Sequence, residues 1–165
     1  MGHAAAPPMS PVRRALAHGS GGTTMTLIDW KAAYELGVPA MDAEHKGLIA
    51  AMNRVHDLAG QGAQKAQVDA ALQRLVALTK EHFAAEEAHM AKIQYADRAR
   101  HGLIHQEMLR RVAAYCEQFR AGDGKVAREF FDFLVYWLGA HIVGIDRKYA
   151  PTRPVVAKPP QPVRG

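Results

Sequence analysis

The stretch HFAAEEAH at residues 82 to 89 places two histidines and two glutamates within little more than two helical turns. On an α-helix, residues four apart share a face and lie about 6 Å apart along the axis. His82 and Glu86 form such a pair, and His101 and His105 form a second. A pair of this kind can grip one metal ion or reach to a neighbour; imidazole suits iron, zinc, copper and nickel, and a carboxylate can bridge two ions. His141 and Asp146 fit less well. A step of five sets them about 140° apart on an ideal helix. Either the helix widens into a π-type turn, eased by Gly144, or an ion at its flank is reached from both sides. Spacing alone leaves Asp146 open as a ligand.

The elements that must carry these groups read as four helices. Over residues 64 to 93, Val68, Leu72, Leu75, Thr79, His82, Glu86 and Ile93 recur on one face at about 100° per residue. His101, His105, Met108, Val112, Cys116 and Phe119 make a similar stripe over about 97 to 120, before the breaker Gly122-Asp123-Gly124. A third stripe over about 126 to 148 holds Phe130, Leu134, Trp137, Leu138, His141 and Ile145. The fourth, over about 42 to 60, holds His45, Ile49, Met52, His56 and Ala59, after a Pro39 better suited to a helix start than an interior. Short connections and the lack of a strand pattern predict an all-α fold, an up-down-up-down antiparallel four-helix bundle. A lone core histidine is usually a satisfied hydrogen-bonding residue, but a buried carboxylate is costly unless paired or metal-bound. Here every helix brings a histidine to its core face, and two also bring a carboxylate within reach.

Composition removes several alternatives. Five of the 21 basic residues, Arg13, Arg14, Arg153, Lys158 and Arg164, lie near the two ends, where there are no acidic ones, so residues 25 to 150 hold 16 basic and 16 acidic residues. That balance argues against a nucleic-acid-binding face. No apolar run approaches the roughly 18 residues of a membrane span. The single cysteine, Cys116, rules out an internal disulfide and suggests a reducing compartment or indifference to redox, and the expected location is the cytoplasm. No apolar stretch follows Arg13-Arg14, so a secretory or twin-arginine signal is not expected. Residues 1–24, rich in Ala, Pro, Gly and Ser, and residues 151–165, with five prolines, read as flexible, disordered tails around a domain at 25–150. Met25 offers an alternative start to Met1.

Taken in order, DAEHK at 42–46, HFAAEE at 82–87, HGLIH at 101–105 and WLGAHIVGID at 137–146 resemble the bacterial hemerythrins, over roughly residues 27 to 149. The resemblance implies two iron ions with an oxo or hydroxo bridge. His101, His105 and His141 would bind one iron, His45 and His82 the other, and Glu86 and Asp146 would bridge them. The resemblance, and not the helical spacing, makes Asp146 a ligand. Relatives usually have Gln where this chain has Glu44, which adds charge beside the site but removes no ligand. Five imidazoles, two bridging carboxylates and a bridging oxygen fill eleven of about twelve positions on two six-coordinate irons. The position left open, on the iron with two histidines, is where dioxygen would bind.

The expected function is therefore reversible dioxygen binding, as a carrier, store or delivery protein for an oxygen-using enzyme, by a monomer that is not itself an enzyme. The alternatives are a di-iron oxidase or peroxidase, or an oxygen-, redox- or iron-sensing module. Leu138, Trp137, Phe83, Ile142 and Leu48 are candidates for an apolar wall around the oxygen. Glu87 falls on the solvated side of its helix, and His89 lies a layer beyond His82. His56 is about 16 Å from His45 along the axis, too far to share its site. Tyr149 is expected to pack against or cap the site, and Cys116 to act as a small buried hydrophobe.

Overall fold

A computed structural model describes residues 26–151, and both expected tails other than Pro151 lie outside them. Among the described residues there are four α-helices and no strand. They are α1 (Pro39–Gly60), α2 (Lys65–Lys92), α3 (Arg98–Ala121) and α4 (Arg128–Gly144). Short 3₁₀ turns at Ala32–Tyr34 and Asp146–Lys148 flank them.

Backbone chemistry at the helix ends explains the boundaries. Pro39 opens α1, where its missing N–H leaves no bond unmade. α1 closes when Gly62 turns to φ +66° and the Ala63 and Gly62 amides donate to Leu58 and Ala59 carbonyls. α2 ends by the same pattern, but with Gln94 at φ +54° and the Tyr95 amide on the Met90 carbonyl. Ile93, the C-cap of α2, is not in the core, where the stripe predicts it. It is 44% exposed, and Met90 takes the buried place. Lys65, at the start of α2, donates to the Arg120 and Gly122 carbonyls at the end of α3, as antiparallel neighbours require.

The end nearest the α1–α2 and α3–α4 connections is packed with Met52, Val55, Leu72, Leu75, Val112, Phe119, Phe130 and Leu134, all at most 4% exposed. The segment before α1 folds back over the other end. Asn53 exchanges two hydrogen bonds with the Ile28 backbone, and Asp42 accepts the Leu36 and Gly37 amides at 2.7 and 3.0 Å. Arg147 donates to the Ala33 carbonyl at 2.7 Å, tying that segment to the turn after α4.

Candidate metal centre

All seven residues singled out by the sequence converge in one layer of the bundle. His45 comes from α1, His82 and Glu86 from α2, His101 and His105 from α3 and His141 from α4, while Asp146 opens the following 3₁₀ turn. None is more than 3% exposed. The awkward step of five is spanned without a π-type turn. α4 stops at Gly144, Ile145 takes φ −112° and ψ −62°, and the tighter turn brings the Asp146 carboxylate back to His141, with Oδ1 at 2.9 Å from Nε2.

The five imidazoles divide into a trio and a pair. His101, His105 and His141 have ring centroids 4.5 to 5.1 Å apart, and His45 lies 4.5 Å from His82. The Nε2 atoms of the trio point at one another, with 3.3 Å from His101 to His141 and 3.2 Å from His105 to His141. The carboxylates lie between the two groups. Asp146 turns Oδ1 to His101 and His141, at 3.3 and 2.9 Å, and Oδ2 to His45 at 3.5 Å. Glu86 places Oε1 at 3.7 Å from His101 and Oε2 at 3.1 Å from His105 and 3.7 Å from His82.

These approaches are close but badly aimed for hydrogen bonds. Both nitrogens of His45 and both oxygens of Glu86 and of Asp146 are buried without a hydrogen-bond partner. Unpartnered buried carboxylates and converging imidazole lone pairs are costly by themselves, at several kcal/mol per buried ion. A divalent or trivalent cation in their midst removes that cost, so the donor set fits a metal. The donor atoms of Glu86, His101, His105 and His141 all lie within 4.8 Å of one another.

Electrostatics separates the histidines. Burial pushes His82 below the ordinary histidine pKa, and the adjacent His45 adds to this. His105 is also disfavoured as a cation by burial, but the nearby Glu86 carboxylate and the hydrogen bond to Glu87 outweigh that and raise it. Burial works against the charge on Asp146, yet its contacts with His101, His141 and His45 hold its carboxyl well below the usual range. Tyr149, buried with its ring 6.0 Å from His101, caps the layer. Burial and the nearby Glu86 and Asp146 charges push its phenol far up.

Two residues have a larger part than sequence reasoning allowed. Glu87, expected on the solvated side, accepts a hydrogen bond from His105 Nδ1 at 2.9 Å. Glu44 accepts one from His82 Nδ1 at 2.8 Å. Each carboxylate adjoins a layer residue in sequence and reaches across to the next helix. A residue about 100° off the core stripe faces the neighbouring helix as much as the water. Each bond fixes the tautomer in which Nε2 carries a lone pair aimed into the layer. His89, half-buried, meets Tyr149 at 5.7 Å between rings, and His56 packs edge-on against Phe131 at the other end of the bundle.

This constellation agrees with a family-level match. The description "Hemerythrin HHE cation binding domain" fits residues 36–152. The chain belongs to the hemerythrin family. It is 33% identical over 126 residues to bacteriohemerythrin of Stenotrophomonas maltophilia, covering 76% of this chain and 81% of that one. Bacteriohemerythrin of Methylococcus capsulatus is 32% identical over 128 residues, covering 77% and 97%. Myohemerythrin of Riftia pachyptila is 31% identical over 120 residues, covering 73% and 88%. A crystal structure of wild-type hemerythrin superposes with a TM-score of 0.70 at 32% identity, over 76% of this hemerythrin and 96% of that chain. The family's cofactor is a non-haem di-iron centre, and the buried His and Glu cluster is able to hold metal.

Proposed function

We propose that this hemerythrin binds dioxygen reversibly at a di-iron centre held by His101, His105 and His141 on one side and His45 and His82 on the other, with Glu86 and Asp146 bridging. The observation that carries this reading is the division of five buried rings into a trio and a pair with two unpartnered carboxylates between them. When bound, the iron pair supplies the electrons that dioxygen accepts on binding and returns on release.

The protein's own contribution is to position, neutralise and keep dry. Glu44 and Glu87 hold the His82 and His105 rings by their Nδ1 hydrogens and leave Nε2 free. Phe83 lies flat on His105 at 3.8 Å and 5.7 Å from His82, so one apolar ring shields both groups. Trp137 covers His141 at 5.4 Å. Leu48, Leu138 and Ile142, each at most 1% exposed, complete the proposed wall. Excluding water from such a layer would keep solvent protons away from the irons that these residues would hold. Five neutral imidazoles against two carboxylates leave less negative charge than an all-carboxylate site, which favours reversible binding over oxidation of a substrate.

We read the chain as a carrier or store, working as a cytoplasmic monomer that hands dioxygen to an oxygen-using enzyme, and not as an enzyme itself. The free, buried Cys116 is in keeping with a reducing compartment. No helix among the described residues is long and apolar enough to cross a membrane. The test is anaerobic loading with ferrous iron, then repeated exchange between oxygen and argon under an absorption spectrometer. Bands that appear with oxygen and vanish under argon over many cycles support the carrier. Irreversible oxidation, or steady consumption of added peroxide, identifies an enzyme.

A further inference from the structure

Away from the histidine layer, α3 and α4 flank a surface groove of about 690 Å³. Met108, Phe133 and Trp137 line it, with two large apolar side chains on its lips, Leu103 at 64% and Tyr136 at 78% exposure. Its charged lining is Arg100, Glu107, Arg111, Glu129 and Asp132. Arg100 stands at the end near the histidine layer, while Glu129 and Asp132 stand at the other. Arg111, also at that second end, lays its guanidinium on the Phe133 ring at 4.4 Å. Among the described residues Glu129 has no ionic partner, and Asp132 has only an exposed contact at 3.7 Å with Arg128.

The chain itself arrives at the Arg100 end. Ile145 and Lys148, around the turn after α4, share a small depression with Arg100 and Ile104, which also line the groove. Residues 152–165 then read TRPVVAKPPQPVRG, with Arg153, Lys158 and Arg164 and no acidic residue. Proline has no N–H to strip of water and a fixed φ, so a proline-rich segment loses little on entering an aromatic-lined groove.

We propose that residues 152–165 dock in the α3–α4 groove of their own chain, running from Arg100 towards Glu129. The lengths agree. Arg100 to Tyr115 spans about 22 Å of helix at 1.5 Å per residue, and Pro151 to Lys158 spans about 22 Å of extended chain at 3.1 Å per residue. In this register Thr152 to Ala157 cover Leu103, Phe133 and Tyr136, and the Lys158 ammonium meets the Glu129 and Asp132 carboxylates. Neither the groove nor the segment depends on iron, so this inference stands apart from the proposed oxygen chemistry.

The test is zero-length carbodiimide coupling of the full chain at low ionic strength, read by peptide mass spectrometry on an equal mixture of ¹⁵N-labelled and unlabelled protein. The expected product joins Lys158 to Glu129 or Asp132 within one chain, and its yield falls several-fold in high salt. It also falls several-fold in a Leu103→Ser, Tyr136→Ser variant, which keeps every charge and touches only exposed side chains. Coupling spread equally over carboxylates of α1 and α2 overturns the proposal. So does a yield indifferent to the Leu103 and Tyr136 changes. Products joining labelled to unlabelled chains overturn it as well, and give the groove to a second copy.

Discussion

The two ends of the bundle use the same four helices and the same core stripes for opposite purposes. Towards the α1–α2 and α3–α4 connections the stripe positions hold Met52, Leu72, Leu75, Val112, Phe119, Phe130 and Leu134, and the buried Thr79 hydroxyl nearby donates to the Leu75 carbonyl at 2.8 Å. Two turns along, the same stripes carry His45, His82, Glu86, His101, His105 and His141, with several polar atoms unpartnered. The apolar end gains roughly 1.5–3 kcal/mol for each large side chain it buries. The polar end costs stability until a cation enters. Fold and chemistry are thus separated along the helix axis, which lets one end be stable enough to hold the other in an unfavourable arrangement.

The largest expected effect comes from the apolar end. Phe130→Ala should cost about 3–5 kcal/mol in denaturant unfolding, while the iron content of the protein that remains folded stays unchanged. A loss of iron from folded protein would show that the two ends are not separable. Next, His101→Ala should lower iron occupancy sharply and leave a helical circular dichroism spectrum, because the packed end is untouched. Chelation of iron from the wild type should lower its melting temperature by mass action, and the same treatment should do much less to His101→Ala.

A pH measurement probes the polar end more finely. Burial opposes a charged His105, but Glu86 and Glu87 raise its pKa above the ordinary value of about 6.5. In the iron-free chain this ring contributes stability below about pH 6.5, and the contribution is lost as pH rises through its elevated folded-state value. Iron takes the neutral ring, so uptake by the iron-free chain rises over that same higher range. Glu87→Gln removes one raising contact, and the uptake curve should move to lower pH. A curve that does not move would reduce Glu87 to an exposed bystander. The smallest effect is expected from His89→Ala, which should change stability by no more than about 0.5 kcal/mol and leave iron content alone, because the ring meets Tyr149 and not the layer.

The same contrast explains what was legible in the sequence. Four stripes of 3.6-residue periodicity predict the helices, and i,i+4 pairs such as His82 with Glu86 bring polar groups to the core face whatever their neighbours are. Asp146 was not legible in this way, because its place depends on α4 ending at Gly144 and on the dihedral angles of Ile145. The family resemblance, not the spacing, pointed to it. Glu44 and Glu87 were underestimated because their partners, His82 and His105, lie on the next helix, and periodicity within one helix carries no information about the register between two. Ile93 lies on the helical stripe but at the last turn of α2, where periodicity does not say whether another element reaches far enough to cover it, and it is exposed.

The central claim is that a trio and a pair of histidines, bridged by Glu86 and Asp146, hold the two irons. It is tested most directly by anomalous diffraction at the iron edge from crystals of the iron-loaded protein. Two peaks are predicted in the histidine layer, one against His101, His105 and His141 and one against His45 and His82, both reached by Glu86 and Asp146. A single peak, or iron bound anywhere else in the bundle, would contradict the account.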